Sequence, residues 1–174
     1  MLIIAGETIG DRTGHEAGRA LLARLYRENF GKECPKIAIA EGGKPYFADG
    51  SAQFSISHTK KHVFCALSDR PVGLDAEEMD RQIDLRLAEK ILSEPEKGRF
   101  AAAKDPRAAL LRLWVLKEAS VKLTGRGLRG YPNQTDFDPD DPGVTEMHGC
   151  YVAVMEMQNA ECGSSNFVRI SERN

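Results

Sequence analysis

Cysteine is scarce in this chain: Cys34, Cys65, Cys150 and Cys162 are the four, and no two form a CxxC pair. That density excludes a disulfide-stapled scaffold, and free thiols in a reducing cytosol are the expectation. Long apolar runs are lacking too. Met1 to Ala5 is too short for a signal peptide, and no stretch nears the roughly 20 residues that cross a bilayer. A soluble, cytoplasmic protein with no membrane partner is expected. Nor is one sign of charge in excess: 24 lysines and arginines face 26 aspartates and glutamates, a formal charge of −2. That balance excludes a general nucleic-acid binder. The sequence has no internal repeats and no low-complexity tracts.

What is present is the composition of an ordinary globular protein, 41% hydrophobic and 29% charged over 174 residues. Folding a chain of that length removes about two-thirds of its unfolded surface from water. Thr13 and Glu16 have the spacing of a capping box, and Ala17, Leu21, Leu22, Leu25 and Tyr26 mark one face of a helix stopping near Gly31. Lys36 to Ala40 alternates like a strand, EGGKPYFADG reads as a glycine-rich loop, and Phe54 to Ser57 is a second short strand. Val63 to Leu67 and Val72 to Ala76, separated by Ser68 to Pro71, read as a hairpin. Asp84 caps a helix through Ile91, Ser93 and Glu96 form a second capping box, and Asp105-Pro106 starts a helix that ends at Gly125. The stretch YPNQTDFDPDDPG reads as an exposed connection, with strands expected over Cys150 to Met157 and Asn166 to Ile170. The mixed order predicts an α+β fold with antiparallel pairing.

Two segments put charge where core is expected. Along Val72 to Glu77, alternation sends Gly73, Asp75 and Glu77 to one face and Val72, Leu74 and Ala76 to the other. Two neighbouring carboxylates repel, and a divalent cation held also by substrate phosphates removes the conflict. The alternative is a solvated strand end running into Glu78. From Leu110 to Leu123 apolar residues occur all round the helix, so it is largely buried, yet Trp114, Glu118 and Lys122 stack on one side with Lys117 beside them. A surface salt bridge between Glu118 and Lys122 is the alternative there. His58 and His62 lack the glutamate of an HExxH zinc site. Lys122, Arg126 and Arg129 place positive charge just beyond the glutamate.

Five segments in order, GKPYF (Gly43–Phe47), FSISHT (Phe54–Thr59), VGLDAEE (Val72–Glu78), LSEPE (Leu92–Glu96) and LWVLKEASVKLTGRGL (Leu113–Leu128), strongly resemble the signature of the Sfp-type 4′-phosphopantetheinyl transferases. Ala76 stands where that signature usually has a branched residue. The resemblance implies an enzyme that moves phosphopantetheine from coenzyme A to a serine of an apo acyl or peptidyl carrier protein, releasing 3′,5′-ADP. It implies Mg²⁺ held by Asp75, Glu77 and Glu118, with Glu118 or Lys122 assisting loss of the serine proton. Lys44, Ser57 and His58 match positions that hold nucleotide phosphates, His58 at the 3′-phosphate; Lys117 belongs to the same set. The segment Asp11 to Tyr26 looks like the family's N-terminal helix, which makes Arg12 and Thr13 candidates for coenzyme A contacts. The implied fold is two similar α+β lobes in tandem, a pseudo-dimer. The first, residues 1–69, is shortened because the strands that normally precede the helix are largely absent; the second, residues 70–174, carries the metal site. A monomer is expected, with homo-oligomerisation left open. A family member that has lost turnover and only binds coenzyme A or carrier proteins is the alternative, and another magnesium-dependent phosphoryl-transfer enzyme is a third.

Overall fold

Thr13 and Gly31 bracket the first helix, α1 (Gly14–Phe30), which follows a strand, β1 (Leu2–Thr8). The Thr13 hydroxyl accepts from the Glu16 amide, the Glu16 carboxylate accepts from the Thr13 amide, and Gly31 turns the chain away at φ 64°. The computed structural model describes residues 1–125 and 134–157, and residues 165–167 as backbone alone. After α1 come β2 (Ile37–Ile39), β3 (Pro45–Phe47), β4 (Gln53–His58), β5 (His62–Ser68) and β6 (Val72–Glu78). A single 3-10 turn leads into α2 (Ala88–Ile91), α3 (Glu94–Ala102) and α4 (Pro106–Thr124), followed by β7 (Val144–Met147), β8 (Cys150–Met157) and β9 (Ser165–Phe167). The architecture is mixed α and β, and every pairing among the described strands is antiparallel.

Alternation along the strands creates the layers. One sheet has the order β1-β5-β4; β5 sends Val63, Cys65 and Leu67 against Leu21, Leu22, Leu25 and Tyr26 of α1. Its other face, Phe64 and Ala66, meets Val72, Leu74 and Ala76 of β6 and Val152 and Val154 of β8. The second sheet has the order β6-β8-β7, with β9 also on β8. The far face of β8, Tyr151, Ala153 and Met155, packs on Leu111, Val115, Leu116, Ala119 and Leu123 of α4. The layers therefore run helix, sheet, sheet, helix.

Where expectation and structure part, the cause is long-range pairing. The predicted hairpin of β5 with β6 does not form: both edges of β5 are taken, by β1 and β4, and β6 pairs with β8. Ser68 to Pro71 instead carries the chain from one sheet to the other. A strand does precede α1, since β1 pairs with β5 from Leu2↔Ser68 to Thr8↔His62. β3 lies inside the segment read as a glycine-rich loop and pairs with β2. The connection after Tyr131 is not wholly exposed, because Phe137 packs against Leu110, Leu113 and Leu116 of α4's cores. The strand expected from Asn166 begins at Ser165; residues 168–170 lie outside the described residues. Three helix starts are as expected, on the side-chain caps Thr13, Ser93 and Asp105; Asp84 caps the 3-10 turn instead, and α2 follows from Leu87 with no side-chain cap of its own. Cys34, Cys65 and Cys150 are free thiols. No described helix is long and apolar enough to cross a membrane.

Candidate active site

Gly73 decides how closely α4 lies on β6. A Cβ at that position would stand 2.1 Å from the Ala119 carbonyl oxygen and 2.4 Å from the Leu123 nitrogen, so only glycine lets the helix backbone touch the strand. Residues two further along the same face of β6 then sit beneath the helix turn that carries Glu118 and Lys122. Asp75 is the result. It is 6% exposed, and its Oδ1 accepts from the Lys122 ammonium at 2.7 Å and the Ser57 hydroxyl at 2.8 Å. Its other oxygen, Oδ2, is buried with no hydrogen-bond partner. A buried carboxylate oxygen without a donor is costly, and a cation is the kind of partner it lacks.

Glu77 and Glu118 are half-buried within electrostatic reach of it. Burial raises the pKa of both, and the Asp75 charge pushes each further the same way; Arg81 draws Glu77 back down and Lys122 draws Glu118 down. Arg81 pairs with the Glu77 carboxylate, and its guanidinium carbon lies 6.0 Å from the Trp114 ring centroid. The structure thus brings Asp75, Glu77, Glu118 and Lys122 into mutual electrostatic reach. It does not close them into a ready cage: among the described residues no three His, Cys, Asp or Glu side chains stand close enough to hold an ion. Lys122 and Arg81 partly neutralise the acids in this state. The donor set, three carboxylates with one orphan oxygen, nonetheless suits a hard divalent cation such as Mg²⁺.

Beside the carboxylates opens a cleft of about 260 Å³, walled by the 42–45 loop, β4 and the last turn of α4, with Lys122 in its lining. The loop is pressed onto the helix end: a Cβ on Gly42 would meet the Gly125 carbonyl oxygen at 2.3 Å. Lys44 lines the cleft with its stem while its ammonium donates to the Leu123 carbonyl at 2.9 Å and the Val72 carbonyl at 3.1 Å. Burial lowers its pKa. Ser57 is likewise committed, donating to Asp75 and accepting from the Ala76 amide at 3.3 Å.

The remaining predicted residues divide into two places. His58 is exposed and its ring covers the start of α1; a Cβ on Gly14 would fall 2.5 Å from the His58 Cγ. Thr13, at that helix start, is occupied by its capping box with Glu16. Arg12 donates to the Glu7 carboxylate and to the Ile9 and Thr8 carbonyls, each at 3.0 Å. Lys117 is not at the site at all. It is 2% exposed and pairs at 2.7 Å with a fully buried Glu96, donating also to the Thr135 carbonyl at 2.9 Å. Sequence reading missed Glu96 as its partner, although Glu96 stood out as the third residue of a capping box; it accepts from the Ser93 and Phe137 amides as well. It also missed Ser55, whose hydroxyl accepts from the Leu74 amide at 2.9 Å. Alternation was the available signal, because Ser55 and Ser57 share one face of β4. Arg126 and Arg129 lie outside the described residues.

Comparison with known proteins converges on one group. Residues 71–159 match the 4′-phosphopantetheinyl transferase superfamily. Among curated proteins, the chain is 37% identical over 90 residues to the 4′-phosphopantetheinyl transferase gsp of Aneurinibacillus migulanus, covering 51% of this chain and 37% of that one. It is 35% identical over 116 residues to psf-1 of Bacillus pumilus, 64% of this chain and 49% of that one. With Sfp of Bacillus subtilis (strain 168) the figures are 33% over 113 residues, 63% and 49%. The chain spans about half, or less, of the length of these relatives.

Proposed function

The chain belongs to the 4′-phosphopantetheinyl transferase superfamily, and on that premise we propose that it transfers 4′-phosphopantetheine from coenzyme A to a serine of an apo carrier protein, releasing 3′,5′-ADP. The observation that carries this reading is Asp75: a buried carboxylate with an orphan Oδ2, within electrostatic reach of Glu77 and Glu118 and bonded to Lys122, which lines the cleft. The helix-sheet-sheet-helix layering supports a reading as two related lobes meeting at the inter-sheet core.

Asp75, Glu77 and Glu118 would hold Mg²⁺, which when bound neutralises pyrophosphate oxygens and stabilises the charge that builds as the bond to the leaving nucleotide breaks. The chain's own groups do the rest. Lys122, in the cleft wall and bonded to Asp75, carries the ammonium that would meet the same oxygens. Glu118, its pKa raised by burial, is the group suited to accept the serine proton, since a base titrating nearer neutrality transfers protons more effectively. His58, exposed over the α1 N-terminus, would present its ring to an anion at a helix start, the chemistry that suits a nucleotide phosphate.

The decisive assay mixes the protein with coenzyme A, Mg²⁺ and a panel of apo acyl and peptidyl carrier proteins and reads the intact mass of each carrier. A gain equal to phosphopantetheine on at least one carrier is expected. Tight coenzyme A binding with no mass gain on any carrier overturns the reading in favour of a binding module.

A further inference from the structure

β6 ends its sheet: β8 pairs one of its edges, and among the described residues no strand pairs the other. With a strand period of two, the amides and carbonyls of Val72, Leu74 and Ala76 point to that same open edge. One such group of each residue is met by a side chain. The Val72 carbonyl accepts from Lys44, the Leu74 amide donates to Ser55, and the Ala76 amide donates to Ser57. The three partners come from the 42–45 loop and from β4, elements of the other sheet's half of the molecule.

We propose that Lys44, Ser55 and Ser57 form a side-chain comb that replaces the missing neighbour strand of β6, and that they are positioning residues for Asp75 rather than ligands of a nucleotide phosphate. An unbonded edge with buried polar groups would be costly and free to slide. The comb satisfies it at alternate residues and leaves Asp75, between Leu74 and Ala76, no freedom to shift. Ser57 adds a direct bond to Asp75 Oδ1. Lys44 extends the clasp by donating to Leu123, one of the last carbonyls of α4, so strand and helix are held by one ammonium at the spacing that presents Lys122.

Amide hydrogen exchange on the ligand-free protein tests this directly. The Leu74 and Ala76 amides should exchange as slowly as those of strands paired on both edges. Ser55→Ala should speed exchange at Leu74 roughly fivefold, the effect of removing one ordinary hydrogen bond, and Ser55→Thr should restore it. Unchanged exchange at Leu74 in Ser55→Ala overturns the comb. A second arm rests on the transferase reading: Lys44→Met should weaken coenzyme A and dephospho-coenzyme A by the same factor. A loss more than tenfold greater for coenzyme A would make Lys44 a phosphate ligand and refute its place in the comb. If the wild type binds neither compound, the transferase reading fails while the exchange rates still decide the comb.

Discussion

Replacing Gly73 by alanine tests the geometry on which the whole site depends. The new methyl carbon would begin 2.1 Å from the Ala119 carbonyl oxygen, 2.4 Å from the Leu123 nitrogen and 2.8 Å from the Leu123 Cα, whereas ordinary contact starts at 3.4 Å. All three obstacles are backbone, so no rotamer change relieves them. The last two turns of α4 must retreat from β6 by about 1.3 Å, the difference between 2.1 and 3.4 Å. Overpacking of this kind costs about 1–3 kcal/mol. At about 2–4 °C per kcal/mol for a chain of this size, the melting temperature should fall by roughly 2–12 °C. The same retreat lengthens the 2.7 Å contact of Lys122 with Asp75 and withdraws Glu118 from the strand. A displacement of about 1 Å in positioned catalytic groups can cost on the order of a hundredfold in rate. Thermal melts and transfer rates on one preparation give both numbers. Wild-type melting would show that α4 does not press on Gly73. A lowered melting temperature with an unchanged rate would show that the closeness of helix to strand has no catalytic consequence, and would refute the argument.

Glu118→Gln should keep the fold, shown by an unchanged melt, and lower the transfer rate about a hundredfold or more; a wild-type rate would remove Glu118 from the site. Lys117→Met should leave Glu96 buried without its cation and cost about 3–5 kcal/mol in chemical denaturation, with Lys117→Met/Glu96→Met recovering part of the loss; equal stability of wild type and single variant would show the pair to be slack. Glu77 and Glu118 have folded pKa values raised above their ordinary 4.5, so the folded apo protein binds more protons than the unfolded chain just above that pH. The contribution of this pair to stability without metal should therefore fall as pH rises from about 4.5 through the raised values, seen as the difference from Glu77→Gln/Glu118→Gln, and Mg²⁺ should stabilise more at pH 8 than at pH 5, where protons compete for the same oxygens. Melts with and without Mg²⁺ across that range check the sign. His58→Ala should weaken coenzyme A more than dephospho-coenzyme A in equilibrium binding, and an equal loss would make His58 a packing residue on Gly14.

Local signals were readable in the sequence because their causes are local. Thr13, Ser93 and Asp105 cap helices using amides three residues away, and Gly125 closes α4 at φ 68°, a conformation glycine adopts without strain. Faces of strands were readable for the same reason: alternation alone separates Asp75 from Leu74. Pairing was not, since nothing near Ser68 to Pro71 states that β5 already has two partners and that β6 must reach β8, more than seventy residues on. β1 was missed because LIIAGET runs apolar before it alternates, leaving both of its faces half-buried. The candidate site was legible where charge sat on an element with no exposed face to put it on, and the structure does bring Asp75 and Glu118 within electrostatic reach of each other. The same logic failed for Lys117. A charge on a buried helix demands a partner, but sequence cannot say whether that partner is a ligand or, as here, a glutamate from the preceding helix.

Lys117 and Glu118 are consecutive, and a helix turns by about 100° between them. One side of α4 is therefore committed to Glu96, Thr135 and Phe137, and the other faces Asp75. The first commitment fixes the rotation of the helix, since turning it would strip Lys117 from Glu96 in a place closed to solvent. The second requires that rotation, because Glu118 and Lys122 reach β6 only over Gly73. The short motifs far apart in the chain thus act on one strand and one helix. Lys44, Ser55 and Ser57 hold the edge of β6, Gly73 admits α4, and Glu96 with Lys117 sets which face α4 presents. Much of their polar chemistry is directed at placing Asp75 and Glu118 rather than at touching a substrate.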